Sequence, residues 1–161
     1  MLPHPNHRYA DSFSLRELVV EVGQSLASRI AARAIDSVLD IPSDQVITAD
    51  RELIRRAVQN LMLNAIDAMP EGGSLVVTSV GGPHALELEV ADTGPTLSDE
   101  ERLRAFAPST TNQRGATGWT LAGVRRIAEI HGGSVTVANC PEGGAAFTLR
   151  IPGSVTLEAA A

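Results

Sequence analysis

The segment from Arg51 to Met69 constrains this chain most. Ile54, Ala57, Val58, Leu61, Met62, Ala65, Ile66 and Met69 fall on one broad helical stripe, and Pro70 with Gly72-Gly73 stops it. A stripe that wide must be covered by another element. The chain offers one at once. Ser74–Val80 and Ala85–Ala91 are rich in β-formers and are joined through Gly81-Gly82-Pro83-His84, the pattern of an antiparallel hairpin. Leu86, Leu88 and Val90 alternate with Glu87 and Glu89, so one face of this hairpin is buried and the other wet.

The remaining pattern extends this helix-on-sheet unit in both directions. Ser14 can cap a first helix over 14–34, with Leu15, Leu18, Val19, Val22, Leu26 and Ile30 at helical spacing. Ile35, Val38 and Ile41 alternate too weakly to define an element. Val46-Ile47-Thr48 reads as a short strand ending before Asp50, which can cap the central helix. Residues 92–118 hold much Gly, Pro, Ser and Thr with one short helical patch at 98–106, so most of this stretch is expected to be a functional loop. A helix follows over 120–131, with His131-Gly132-Gly133 as its cationic last turn and glycine stop. Ser134–Ala138 and Ala145–Ile151 then form two strands around Pro141-Glu142-Gly143-Gly144. This order predicts an α/β (α+β) two-layer sandwich, a mixed, mostly antiparallel sheet covered on one face by helices. One domain over 13–152 is expected, with an irregular segment at 1–12 that contains Pro3 and Pro5, and a tail at 153–161.

Bulk properties narrow the function. Only 3% of the 161 residues are aromatic, so base-stacking surfaces are not expected, and a formal charge of -6 disfavours nucleic acid and anionic membrane. A phosphate ligand would need backbone amides or a metal beside it. Cys140 is the single cysteine, which excludes an internal disulfide and fits a reducing, cytoplasmic setting. No stretch approaches a membrane span, so no direct membrane contact is expected.

Three segments can carry chemistry. Asn60, Asn64 and Asp67 share one helix face, roughly opposite the apolar stripe, where amide oxygens can serve a magnesium ion that clamps phosphates. Taken by spacing alone, they also suit the solvated side of an amphipathic helix. Asp92-Thr93-Gly94 follows an apolar strand; its carboxylate can accept from an exocyclic amine, and the glycine lets backbone approach a flat base. By itself the tripeptide is also a common turn. Gly115-Ala116-Thr117-Gly118 leads into a helix N-terminus, whose free amides attract anions.

Together and in this order, these segments resemble the GHKL ATPases, most closely histidine kinases. Asn60 through Gly73 is similar to the family's N box, Asp92-Thr93-Gly94-Pro95 to its first glycine box, Phe106 through Thr110-Thr111 to its F box, and Gly115–Leu121 to its second glycine box. The resemblance covers roughly 13–152 and implies a Bergerat-type fold that binds ATP and magnesium (Mg2+). It implies that Asn64 ligates the magnesium, Asn60 assists at the phosphates and Asp92 binds the adenine amine, with Gly94 making room for the base. Asp67, Thr110, Thr111, Arg114, Gly115, Gly118, Thr120 and Leu121 complete the implied ATP contacts, and 95–118 is the implied ATP lid. No residue of this chain is the implied nucleophile: the γ-phosphate passes to a histidine on separate dimerisation and phosphotransfer helices, and from there to a response regulator receiver domain.

Two departures keep an alternative open. Thr96 and Thr120 stand where the family usually has glycine, and a β-branched residue suits neither positive φ nor close phosphate contact. Trp119 is bulkier than the usual leucine, and Asn112 stands where a basic residue is expected, with Arg114 near enough to substitute. The alternative is a nucleotide-degenerate relative acting as a protein-binding module. A serine kinase of the anti-sigma type shares the fold, but Met69-Pro70-Glu71-Gly72-Gly73 and the Arg125-Arg126-Ile127 helix are more similar to histidine kinases.

Overall fold

The computed structural model describes residues 10–108, 121–153 and 156–157. Its main sheet has five strands in the order β2-β4-β5-β7-β6: β2 (Ile35–Asp40), β4 (Gly73–Gly81), β5 (Ala85–Asp92), β7 (Ala145–Pro152) and β6 (Ser134–Asn139). Only the β2–β4 pair is parallel; the others are antiparallel, so the sheet is mixed and mostly antiparallel as its sequence predicts. The alternation read in β5 sets the register. Leu86, Leu88 and Val90 turn inward opposite Ile151, Leu149 and Phe147 of β7, and all six are buried. Three helices supply the other side of the core: α1 (Leu15–Ser25), α3 (Arg51–Asp67) and α5 (Leu121–Ile130).

A smaller sheet, β1-β3-β8, lies beside α1 and α3, formed by β1 (Ala10–Ser14), β3 (Gln45–Asp50) and β8 (Thr156–Leu157). Two of its strands fall where the sequence suggests irregular ends. Ala10–Ser14 pairs with β3 through the segment read as irregular to residue 12, and Thr156–Leu157 pairs with β3 through the segment read as tail. Neither carries alternation strong enough to signal a strand. The buried Ser79 hydroxyl donates to Gln45 Oε1, 2.5 Å, and ties β4 to β3.

The expected single helix over 14–34 is two helices, α1 and α2 (Ala27–Ala32), divided at Leu26. The break follows Gly23, a weak helix former, and Ser25, whose hydroxyl donates to the Val22 carbonyl at 2.7 Å and competes with the helical ladder. Ala34 then takes φ 52°, the only positive φ at a non-glycine among the described residues, and turns the chain into β2. Edge strand β2 was missed because most of its residues are exposed on both faces, which erases the period-2 signal. Short α4 (Asp99–Arg104) carries a full capping box between Ser98 and Glu101. Among the described residues no helix is long and apolar enough to cross a membrane.

Candidate nucleotide-binding site

Helix α3 starts and stops as its sequence dictates. Asp50 Oδ1 accepts from the Leu53 amide at 3.1 Å, while the Asp50 amide donates to His131 Nε2 at 3.2 Å. His131, with Nδ1 2.8 Å from the Ile127 carbonyl, thereby joins the end of α5 to the start of α3. At the other end, Gly72 at φ 102° closes the turn on Met69, in a conformation that other residues rarely adopt.

From Leu61 to Ile66 every residue of α3 is buried, and Asn64 is among them. The alternative of a merely solvated helix face therefore does not hold at Asn64. Asn64 is 1% exposed, and its side-chain oxygen and nitrogen both lie buried without a hydrogen-bond partner among the described residues. Leaving such groups unmade costs about 1–3 kcal/mol each, so an orphan amide at this depth is a defect unless a ligand completes it. Asn60, one turn earlier, is half-buried. The Asp67 side chain is 5% exposed and its Oδ1 lies 3.5 Å from Arg33 Nη1, which also donates to the Ile66 carbonyl at 2.9 Å. Arg33, absent from the sequence reading, places a cation at the C-terminus of α3, where the dipole favours one.

The Asp92 loop lies across the same end of α3. Asp92 is 2% exposed, and its Oδ1 accepts from the Gly94 amide at 2.9 Å and the Ala145 amide at 3.4 Å. Thr93 bridges to β4 through the Ser74 amide, 2.9 Å, and its own amide points at Met69 Sδ, 3.4 Å. A Cβ on Gly94 would come within 2.5 Å of the Ala68 carbonyl oxygen. The glycine is thus required by contact with the helix end, a reason that the sequence did not disclose. These contacts set the Asp92 loop against the end of the helix that carries Asn64.

Phe106 stands edge-on to the buried Phe147 ring, centroids 6.0 Å apart, so the start of the segment similar to the F box is attached to the core. Leu121 opens α5 with its side chain in the core. Thr96 is exposed and its φ is not positive, so the threonine sits there without the backbone strain that its place in a glycine box suggests. Thr110, Thr111, Arg114, Gly115, Gly118 and Thr120 lie outside the described residues. Cys140 lies close enough to Asp92 to feel its charge; burial first, then Asp92, Glu89 and Glu142, push its thiol above the ordinary range. A separate cleft of about 400 Å³ is lined by Asp11, Asp50, Arg51 and Glu52. It opens at the far end of α3, about 20 Å from Asn64 at 1.5 Å per residue, and three carboxylates against one guanidinium suit no polyphosphate.

Comparison with known proteins gives the family. The model of the histidine kinase-, DNA gyrase B-, and HSP90-like ATPase family matches residues 49–155, more than half of the chain. Hybrid signal transduction histidine kinase D of Dictyostelium discoideum is 33% identical over 163 residues, covering 89% of this chain and 10% of the relative. Adaptive-response sensory kinase SasA of Synechococcus sp. (strain CC9902) is 32% identical over 145 residues, covering 86% of this chain and 38% of that kinase. The chain thus spans well under half the length of these relatives. Among solved structures, the nucleotide-free catalytic domain of histidine kinase ThkA superposes with a TM-score of 0.83 at 32% identity, covering 89% of this chain and 95% of that one. Full-length ShkA in complex with AMPPNP gives 0.81 at 25% identity, covering 92% of this chain and 32% of that one. The chain belongs to the histidine kinase-, DNA gyrase B-, and HSP90-like ATPase family, and these relatives are histidine kinases.

Proposed function

We propose that this chain is the ATP-binding catalytic domain of a two-component sensor histidine kinase working in the cytoplasm. The observation that carries the reading is Asn64: a buried amide with both polar atoms unpartnered, on the helix and at the position that match the family's N box. Its oxygen is a neutral hard donor of the kind magnesium accepts beside phosphate and water oxygens, and Asn60 stands one turn away to meet the phosphates. When bound, the ion neutralises charge on the phosphate oxygens. Asp92, pinned at Oδ1 by two backbone amides, presents a fixed carboxylate to the exocyclic amine of adenine. Thr110, Thr111, Arg114, Gly115, Gly118 and Thr120, outside the described residues, are the further phosphate contacts that the resemblance implies. Asp67 acts indirectly, through its pairing with Arg33 at the end of α3.

The reaction is phosphoryl transfer: the γ-phosphorus leaves its bridging oxygen, freeing ADP, and forms a P–N bond with an imidazole of the dimerisation and phosphotransfer helices. This chain supplies positioning and charge neutralisation for it. The product phosphohistidine serves a response regulator receiver domain. Competition binding tests the adenine half of the reading. ATP and ADP should displace a fluorescent ATP analogue at least about tenfold better than GTP, whose ring has a carbonyl where adenine has the amine. Equal displacement by GTP and ATP, or none by either, would overturn it.

A further inference from the structure

Asn139, the last residue of β6, makes two side-chain bonds to a single residue of another segment. Its Oδ1 accepts from the Leu97 amide at 2.8 Å and its Nδ2 donates to the Leu97 carbonyl at 2.8 Å. A carboxamide used this way imitates the backbone of a neighbouring strand. No other short side chain can: aspartate lacks the donor, and serine or threonine presents one oxygen for both tasks. The Leu97 side chain is itself buried, so this residue is held by its backbone on Asn139 and by its side chain in the core.

The same hairpin grips the other end of the loop. Asn139 pairs across the ladder with Ala145, whose amide donates to Asp92 Oδ1. Gly144, at φ 91°, lies so near that a Cβ there would be 1.9 Å from the Asp92 carbonyl oxygen. The tip of β6–β7 therefore fixes Asp92 at the start of the loop and Leu97 five residues later, with Gly94 pressed against Ala68 between them. The loop has little freedom while both ends are held.

We propose that Asn139 is a positioning residue that fixes the 92–97 loop in the conformation that receives the adenine base. The inference rests on the ATP reading above for what the loop binds, but the anchor itself can be tested without nucleotide. Hydrogen exchange of the Leu97 amide, measured by NMR on the nucleotide-free chain, reads the anchor directly; titration with AMPPNP and magnesium reads its consequence. Asn139→Ala should accelerate Leu97 exchange about tenfold or more and weaken AMPPNP roughly tenfold, while Leu149 and Phe147 amides stay protected. Asn139→Asp keeps an acceptor for the Leu97 amide but loses the donor and sets a carboxylate against the Leu97 carbonyl, so it should also weaken AMPPNP, with Leu97 exchange slower than in Asn139→Ala. Unchanged Leu97 exchange in Asn139→Ala, unchanged AMPPNP affinity in either variant, or faster exchange shared by Leu149 and Phe147 would overturn the proposal. Failure of the ATP reading looks different: the wild-type chain itself would bind no AMPPNP, and Leu97 exchange would still decide the anchor.

Discussion

Replacing Asn64 by leucine should stabilise the nucleotide-free protein and remove the part of its response to nucleotide that depends on magnesium. Leucine branches at Cγ as asparagine does but carries no polar atoms, and Asn64 has two that are buried and unpartnered. Unsatisfied groups of this kind cost about 1–3 kcal/mol each. They share one amide, and two methyls fit less well than an oxygen and a nitrogen, so a net gain of about 2 kcal/mol is expected. For a domain of this size each kcal/mol moves the melting point by about 2–4 °C, giving about 4–8 °C. Wild type with AMPPNP and magnesium at a hundredfold excess over Kd should gain about 2.7 kcal/mol, or about 5–11 °C. Calorimetric scans of both proteins, with and without ligand, read all four melting points. A nucleotide-free Asn64→Leu chain that melts several degrees below wild type would refute the argument that the amide is held at a cost for its ligand. A variant that keeps the full ligand-induced shift would remove Asn64 from the site.

Three further expectations follow from contacts around the site. Gly94→Ala places a methyl 2.5 Å from the Ala68 carbonyl oxygen and should cost about 1–3 kcal/mol by urea unfolding; an unchanged midpoint would mean that the loop can lift off the helix freely. Arg33→Ala should cost about 1–2 kcal/mol, discounted because the Arg33 side chain is 35% exposed, and a double-mutant cycle with Asp67→Asn should show coupling; additive losses would refute the pairing. Because burial and nearby carboxylates raise the Cys140 thiol, less of it is thiolate at neutral pH, and its iodoacetamide rate should climb at higher pH than that of an unstructured cysteine peptide. Coincident pH profiles would contradict that environment.

The central helix, its stop and the β4–β5 hairpin were legible because each writes a strong period and its own punctuation: the α3 stripe, Gly72-Gly73, and the Leu-Glu alternation of β5. The final hairpin and the glycine cap of α5 were legible for the same reason. Strands β1, β2 and β8 were not, since edge strands half out of the core carry no alternation. At the site, spacing put Asn60, Asn64 and Asp67 on one face but could not say that this face is buried, which depends on what folds over it. Nor could it reveal Arg33, which arrives from the α2–β2 turn, or Asn139, whose partner lies 42 positions away. A lone asparagine before a proline turn reads as turn chemistry, and only the fold distinguishes a turn residue from an anchor. Thr96 erred in the opposite direction, since its replacement of a glycine suggested strain that the backbone does not impose.

The central claim is that Asn64 and Asp92 together make this chain an ATP site. Calorimetric titration of the chain with AMPPNP, with and without magnesium, beside Asn64→Ala and Asp92→Ala, tests it most directly. The account predicts saturable binding that magnesium strengthens, that Asp92→Ala weakens in either condition, and that in Asn64→Ala loses its magnesium dependence. A folded wild-type chain that takes up no nucleotide at millimolar concentration, or variants that bind as wild type does, would contradict it.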